Sequence, residues 1–276
     1  MTIGEFYDNI ELNGQARIRA EQIQRTFETL FPPPYVEALF DGSRREEGLR
    51  ELTAHLGEDA DGMKMFVYMS HCALRTYERY RERGISRDIF FATMKFLSRF
   101  MAAEITRNHA IAFRWGWWFP RQLAMQEFRL GALEYEMSGG NIFMHIPSDA
   151  DLSPLSVRRS VRDARLFFKT FYPEYAEAPM LCDSWLLSPA LPALLPPTSN
   201  IVRFQREFEV LRWEKDSSAY LEWVYPVSDL PYGQLAEGTA LQRAMKAYLL
   251  AGGKVGWALG RLRGNIFQEV RTENTL

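Results

Sequence analysis

The stretch QEFRLGALEYEMSGGNIFMHI, residues 126–146, decides the fold class. Gln126 to Met137 alternates in part between apolar and polar side chains, the period of a half-buried strand. Ser138-Gly139-Gly140-Asn141 is a turn signal, because glycine accepts the positive φ that tight hairpins need. Ile142 to Ile146 is a short apolar strand, so the stretch predicts an antiparallel hairpin. Pro147 to Asp151 follows as a loop. Ser153-Pro154 then reads as an N-cap with proline at the first helical position. The predicted helix carries Val157, Val161, Ala164, Phe168 and Phe171 on one face, with Arg158, Arg162, Arg165 and Lys169 on a neighbouring one, and it stops at Pro173.

Downstream, Met180 to Leu187 is strand-like and Ser188 to Phe204 is a proline-interrupted helical stretch, with Ser199-Asn200 capping its last part. Phe204 to Trp213 and Ser218 to Tyr225 read as a second hairpin around Lys215-Asp216-Ser217. A helix from Thr239 to Leu250 and a closing strand from Lys254 to Leu262 complete the order. Hairpins with a single crossover exclude a doubly wound dinucleotide fold. Upstream, the pattern is helical. Ile18, Ile23, Phe27 and Leu30 mark one helix, stopped by Pro32-Pro33-Pro34. Asp61 to Arg83 and the Ser86-capped run with Phe90, Met94, Leu97, Met101 and Ile105 mark two stronger ones. The expected architecture is α+β, with a helical domain over 1–115 and a mixed sheet flanked by helices over 116–276.

Composition narrows the class of function. The chain has 276 residues, 47% hydrophobic and 25% charged, with a net charge of -2. Residues 1–115 carry 16 basic and 17 acidic side chains, leaving 17 and 18 for the remainder. Neither part has the basic excess by which nucleic-acid binders neutralise phosphates, so no nucleic-acid partner is expected. Cys72 and Cys182 form no C-x-x-C pair, and His55, His71, His109 and His145 lack metal-ligand spacing, so no metal is expected. The opening residues are not a secretory signal and no apolar run is long enough for a bilayer. A cytoplasmic protein without a membrane partner is the default expectation.

The element order from Gln126 resembles the core of the GNAT-type N-acyltransferase superfamily. Phe128-Arg129-Leu130-Gly131, Glu134-Tyr135-Glu136, His145-Ile146-Pro147-Ser148, Ser184-Trp185-Leu186-Leu187 and Ser199-Asn200-Ile201-Val202-Arg203-Phe204 are similar to a bacterial branch of acyltransferase-domain proteins. In that branch a helical N-terminal domain precedes the GNAT-like part. The resemblance implies acyl-CoA as co-substrate, a small-molecule amine as acceptor and direct transfer between them. It also implies that the pyrophosphate of coenzyme A sits at the start of the helix after the hairpin, where unpaired N–H groups and the helix dipole favour an anion. Carried onto this chain, Ser153, Ser156 and Arg158 become the cofactor contacts. The superfamily's loop there is glycine-rich, whereas Pro147 to Pro154 contains no glycine and two aspartates. That departure supports an alternative, a degenerate GNAT fold that binds a small molecule, such as a carbohydrate, without catalysis.

Amine acylation needs a base that works near neutral pH. Glu134 and Glu136, two apart in a strand, share one face. His145 lies at the end of the strand that feeds the helix start. These three are the candidate catalytic residues, each weighed against a solvated or structural role. Cys182 is expected to be an inert buried thiol more often than a nucleophile, and Tyr220 and Tyr225 to be core rather than acids. Trp115, Trp117 and Trp118 offer either a stacking platform or packing between the two regions.

Overall fold

A computed structural model describes residues 1–30 and 36–264. The chain forms two compact units, Met1–Leu130 and Gly131–Leu276. The first holds helices α1 (Ile3–Asn9), α2 (Gly14–Leu30), α3 (Arg45–Leu56), α4 (Met63–Glu82), α5 (Arg87–Asn108) and α6 (Pro120–Leu123), then strand β1 (Glu127–Leu130). Thr2 and Glu5 cap α1 reciprocally, a capping box. Ser86 Oγ accepts the Ile89 N–H at 3.3 Å to open α5, and His109 closes it in the left-handed region at φ 52°. Phe90, Met94, Leu97 and Met101 of α5 are buried as their spacing predicts. Among the described side chains of α2, Ala16 and Ala20 are buried and Ile23 is half-buried, whereas Ile18 is 59% exposed and does not belong to the buried face. The side chains of Phe27 and Leu30 lie outside the described residues. The proline stop at 32–34 lies outside the described residues. Tyr80 packs edge-on to Phe90 at 5.2 Å and meets Phe128 at 5.8 Å, which ties β1 to the helices of its unit. The Arg129 N–H also donates to Thr93 Oγ1 at 2.9 Å.

The second unit contains β2 (Leu133–Ser138), β3 (Asn141–His145), α7 (Pro154–Phe171), β4 (Met180–Ser184), α8 (Leu191–Leu194), α9 (Asn200–Arg206), β5 (Phe208–Glu214), α10 (Leu221–Val224), α11 (Ala240–Leu250) and β6 (Trp257–Leu262). Its strands lie in the order β2-β3-β4-β6-β5. β2 and β3 form the expected hairpin, with Gly139 and Gly140 at φ 57° and 77°. The crossover through α7 makes β3 and β4 parallel, and all other pairs of this unit are antiparallel. The mixed sheet flanked by helices is thus present.

Two expectations need correction. Gln126 to Met137 is not one strand, because Gly131 turns at φ 69° and separates β1 from β2. The second hairpin is also absent: β5 pairs with β6, and the segment after it curls into α10. Tyr220, Leu221, Val224 and Tyr225 recur at i, i+1, i+4 and i+5, the period of a helix face rather than a strand. Tyr220, Leu221 and Tyr225 enter a cluster with Leu191, Met245 and Leu249. Ser199 Oγ caps α9 as expected, accepting the Val202 N–H at 3.2 Å.

Helix α7 covers one face of this sheet through Ser160. The Ser160 hydroxyl accepts the Leu133 N–H at 3.1 Å and hydrogen-bonds the Tyr135 hydroxyl at 2.9 Å. Arg165 is not part of a solvated stripe, since its guanidinium donates to the carbonyls of Ala176 and Ala178 at 3.2 and 2.7 Å. Among the described residues no helix is long and apolar enough to cross a membrane.

Gly131 gives the first test. A Cβ there would sit 3.3 Å from the Ser160 backbone in a conformation that L side chains rarely adopt. Gly131→Ala is expected to lower stability by about 1–2 kcal/mol in urea unfolding, without changing the m-value.

Candidate active site

The alternation of strand side chains sorts the second unit's sheet into two chemically different faces. Tyr135, Met144, Met180, Cys182 and Ser184 are buried on the face that includes the Tyr135–Ser160 contact with α7. The opposite face mixes charged side chains with apolar ones. Register places Glu134 opposite His145 and Glu136 opposite Phe143, and directly opposed residues share a face. Phe143 in turn lies beside Leu181, so Asp183, two residues on, belongs to the same face. β6 and β5 extend it with Leu259, Trp257, Arg212 and Glu214.

The three candidate catalytic residues are therefore brought together. Glu134 and Glu136 are both buried, contrary to the solvated role usual for charged strand residues. His145 Nε2 lies 3.0 Å from Glu136 Oε2, with the imidazole still partly exposed. A buried carboxylate on one ring nitrogen fixes the ring's orientation. This is the arrangement of a histidine base with an orienting acid.

The sheet opens beside that pair. β3 and β4 are in register at only two positions, Ile142 with Met180 and Phe143 with Leu181. β4 then continues alongside β6, from Leu181–Arg261 to Ser184–Ala258. The ends of β3 and β4 that follow, Met144-His145 and Cys182-Asp183, flank the place where the parallel ladder stops. Cys182 points to the face away from His145. Its burial pushes the thiol well above its usual range, so Cys182 is the inert buried thiol that was expected. Tyr225 donates to the Gln242 carbonyl at 3.1 Å and, with Tyr220, belongs to the apolar cluster, as the core reading held.

At the start of α7 the expected cofactor contacts meet an unexpected partner. Asp151 accepts the Ser153 N–H at 2.8 Å and the Ser153 hydroxyl at 2.9 Å. The Ser153 N–H, then its hydroxyl, hold the Asp151 carboxyl below the usual range, with a smaller contribution from Ser156. An internal carboxylate thus engages both donors of the residue that precedes the helix. Arg158 Nη2 stands 3.9 Å from Glu207 Oε1.

Sequence reasoning passed over two further carboxylates. Glu127 is fully buried in the first unit, where it accepts from Trp118 Nε1 at 2.9 Å and Gln122 Nε2 at 2.8 Å. The tryptophan run is thus partly an anchor for this carboxylate. Trp117 stacks on Trp115 at 5.6 Å and remains 52% exposed. The other is Asp183, an exposed residue beside Cys182 in β4. Partial desolvation raises its carboxyl above the ordinary range, opposed by a hydrogen bond from Trp257 and by the charge of Arg212.

Residues 119–262 match the GNAT-like C-terminal domain, and residues 1–125 match the N-acyltransferase N-terminal domain. The chain belongs to the GNAT-type N-acyltransferase family. Solved structures agree on the fold. An acyltransferase in complex with decanoyl-CoA and teicoplanin superposes with a TM-score of 0.69 at 19% identity, over 95% of this chain and 99% of that one. An acyltransferase with CoA and 10C-teicoplanin gives 0.70 at 19% identity with the same coverage. A third, with decanoyl-CoA alone, gives 0.68 at 21% identity, again over 95% and 99%. No curated protein is significantly similar to the chain in sequence.

The Asp151 contact carries a prediction with a definite sign. Its folded-state pKa is lowered, so its contribution is present above the unfolded carboxylate pKa and is lost as pH falls through the folded value. Asp151→Ala is expected to melt below wild type at neutral pH. The two curves should converge in acid, below the normal carboxylate range.

Proposed function

We propose that this protein is an acyl-CoA-dependent N-acyltransferase that acylates a small-molecule amine by direct transfer. The observation that carries the reading is the His145–Glu136 pair at the point where β3 and β4 part. The complexes of the structural neighbours with CoA, decanoyl-CoA and teicoplanin support it.

In this reading the edge left where the β3–β4 ladder stops offers backbone hydrogen bonds to the amide-bearing arm of coenzyme A. The thioester then lies beside His145. The helix start at Ser153, Ser156 and Arg158 holds the pyrophosphate once the Asp151 carboxylate turns aside. An ammonium acceptor first loses a proton to solvent. The free amine attacks the thioester carbonyl, the C–N bond forms, and His145 takes a second proton from the nitrogen. The C–S bond breaks and the thiolate leaves, recovering that proton from the imidazolium. Glu136 holds the ring in place and offsets its transient charge. Glu134 adds negative potential on the same face.

The second reading, a binding protein without catalysis, is favoured by one observation. Asp151 already bonds the N–H and the hydroxyl of Ser153, one of the residues expected to hold the pyrophosphate.

Calorimetry with acetyl-CoA and decanoyl-CoA separates the two. Micromolar binding lost in Ser153→Asp and strengthened in Asp151→Asn is the expected result for the enzyme. No binding of either thioester would leave only the second reading. In the enzyme, His145→Gln is expected to lower kcat by about 10²–10⁴-fold with acyl-CoA affinity little changed. Glu136→Gln should fall between that variant and wild type, which rapid-quench amide formation would report.

A further inference from the structure

Asp183 stands on the reacting face without a role in the chemistry above. It sits on β4 just past the last position paired with β3, opposite Leu259 of β6. Register gives it the same face as His145 and Glu136 on one side, and Trp257, Arg212 and Glu214 on the other. The nearby cations are engaged with other acids. Arg212 Nε bonds Glu214 Oε1 at 3.0 Å, and Arg261 Nη2 bonds Glu209 Oε2 at 2.7 Å. His145 is held on Glu136. No cation among the described residues forms an ion pair with Asp183, whose hydrogen bond comes from the uncharged indole of Trp257.

We propose that Asp183 is the specificity-determining carboxylate that receives the acceptor, and that it selects an amine arriving as a cation on an apolar or aromatic stem. This rests on the transferase reading and adds the class of acceptor to it. The ammonium head would meet Asp183, and the stem would lie along Phe143, Leu181 and Trp257, the apolar side chains of this face. Phe143 and Leu181 are half-buried and Trp257 is likewise only partly covered, so each offers surface to a ligand.

Asp183 is exposed on this face, flanked by apolar side chains and bonded to no cation, so its carboxylate is open to a charged ligand. Its neighbours remove part of its water, which raises its proton affinity. A ligand ammonium at the same place supplies the missing charge, with a charge-assisted hydrogen bond. A neutral hydroxyl of the same shape does not. The other charged groups of the face do not substitute for it. Glu209, Arg212, Glu214 and Arg261 are in mutual pairs, and Glu134 and Glu136 are buried beside His145. Asp183 thus binds and orients the amine, while proton removal remains with His145.

The test uses the full-length protein and two matched probes, phenethylammonium and 2-phenylethanol, titrated by calorimetry and by ligand-observed NMR. Wild type is expected to prefer the ammonium over the alcohol by about tenfold, the effect of one charge-assisted contact. Asp183→Asn should lose that preference, and Asp183→Glu should retain most of it. Decanoyl-CoA titrated into the same samples should bind all three proteins alike. Equal affinity of wild type for the two probes, or an undiminished preference in Asp183→Asn, overturns the proposal. If the ammonium preference follows the carboxylate but decanoyl-CoA binds none of the proteins, Asp183 still binds a cation and the transferase reading fails by itself.

Discussion

Parallel pairing between β3 and β4 over just two positions is the constraint on which the reacting face depends. Those two positions fix the parity of both strands, and parity decides which side chains share a surface. A shift of one residue would bring Cys182 to His145 and send Asp183 to the α7 side. The same brevity leaves the following residues of both strands without a ladder partner in each other. A longer ladder would be more stable and would close the sheet. The fold therefore trades regular hydrogen bonding for an edge within its own sheet, placed beside a histidine and its carboxylate.

Local patterns made much of this legible from the sequence. The double glycine at 139–140, the Ser153-Pro154 helix start and the Ser86 and Ser199 caps each carry a mechanism that acts over a few residues. Glu134 and Glu136 were placed on one face by alternation alone. What sequence could not supply was strand order. Nothing in Phe208–Glu214 says that its partner is β6, some forty-five residues later, rather than the next segment along. The 220–225 segment failed for a different reason, since four bulky residues at helical spacing looked like β-formers one by one. Asp183 was obscured because its importance arises from β6 and β5, which a linear reading does not place beside β4.

The two ends of the site illustrate opposite electrostatic solutions. At the α7 start an exposed carboxylate is satisfied by the N–H and hydroxyl of Ser153, and its proton affinity falls. On the sheet face an exposed carboxylate among apolar neighbours lacks a bonded cation, and its proton affinity rises. The first stabilises the resting protein against an anion. The second leaves the resting protein receptive to a cation. Both devices are built from a single aspartate whose environment, rather than whose identity, determines what it does.

Both cysteines of the chain are buried, and burial makes each thiol reluctant to ionise. Thiolates, not thiols, react with disulfide and maleimide reagents. The folded protein is consequently almost silent toward such reagents. A coloured aromatic disulfide added to it would report sulfhydryls released from a thioester against a nearly blank background. A cysteine introduced at an exposed position of the α7 start could be labelled selectively without first removing the native pair.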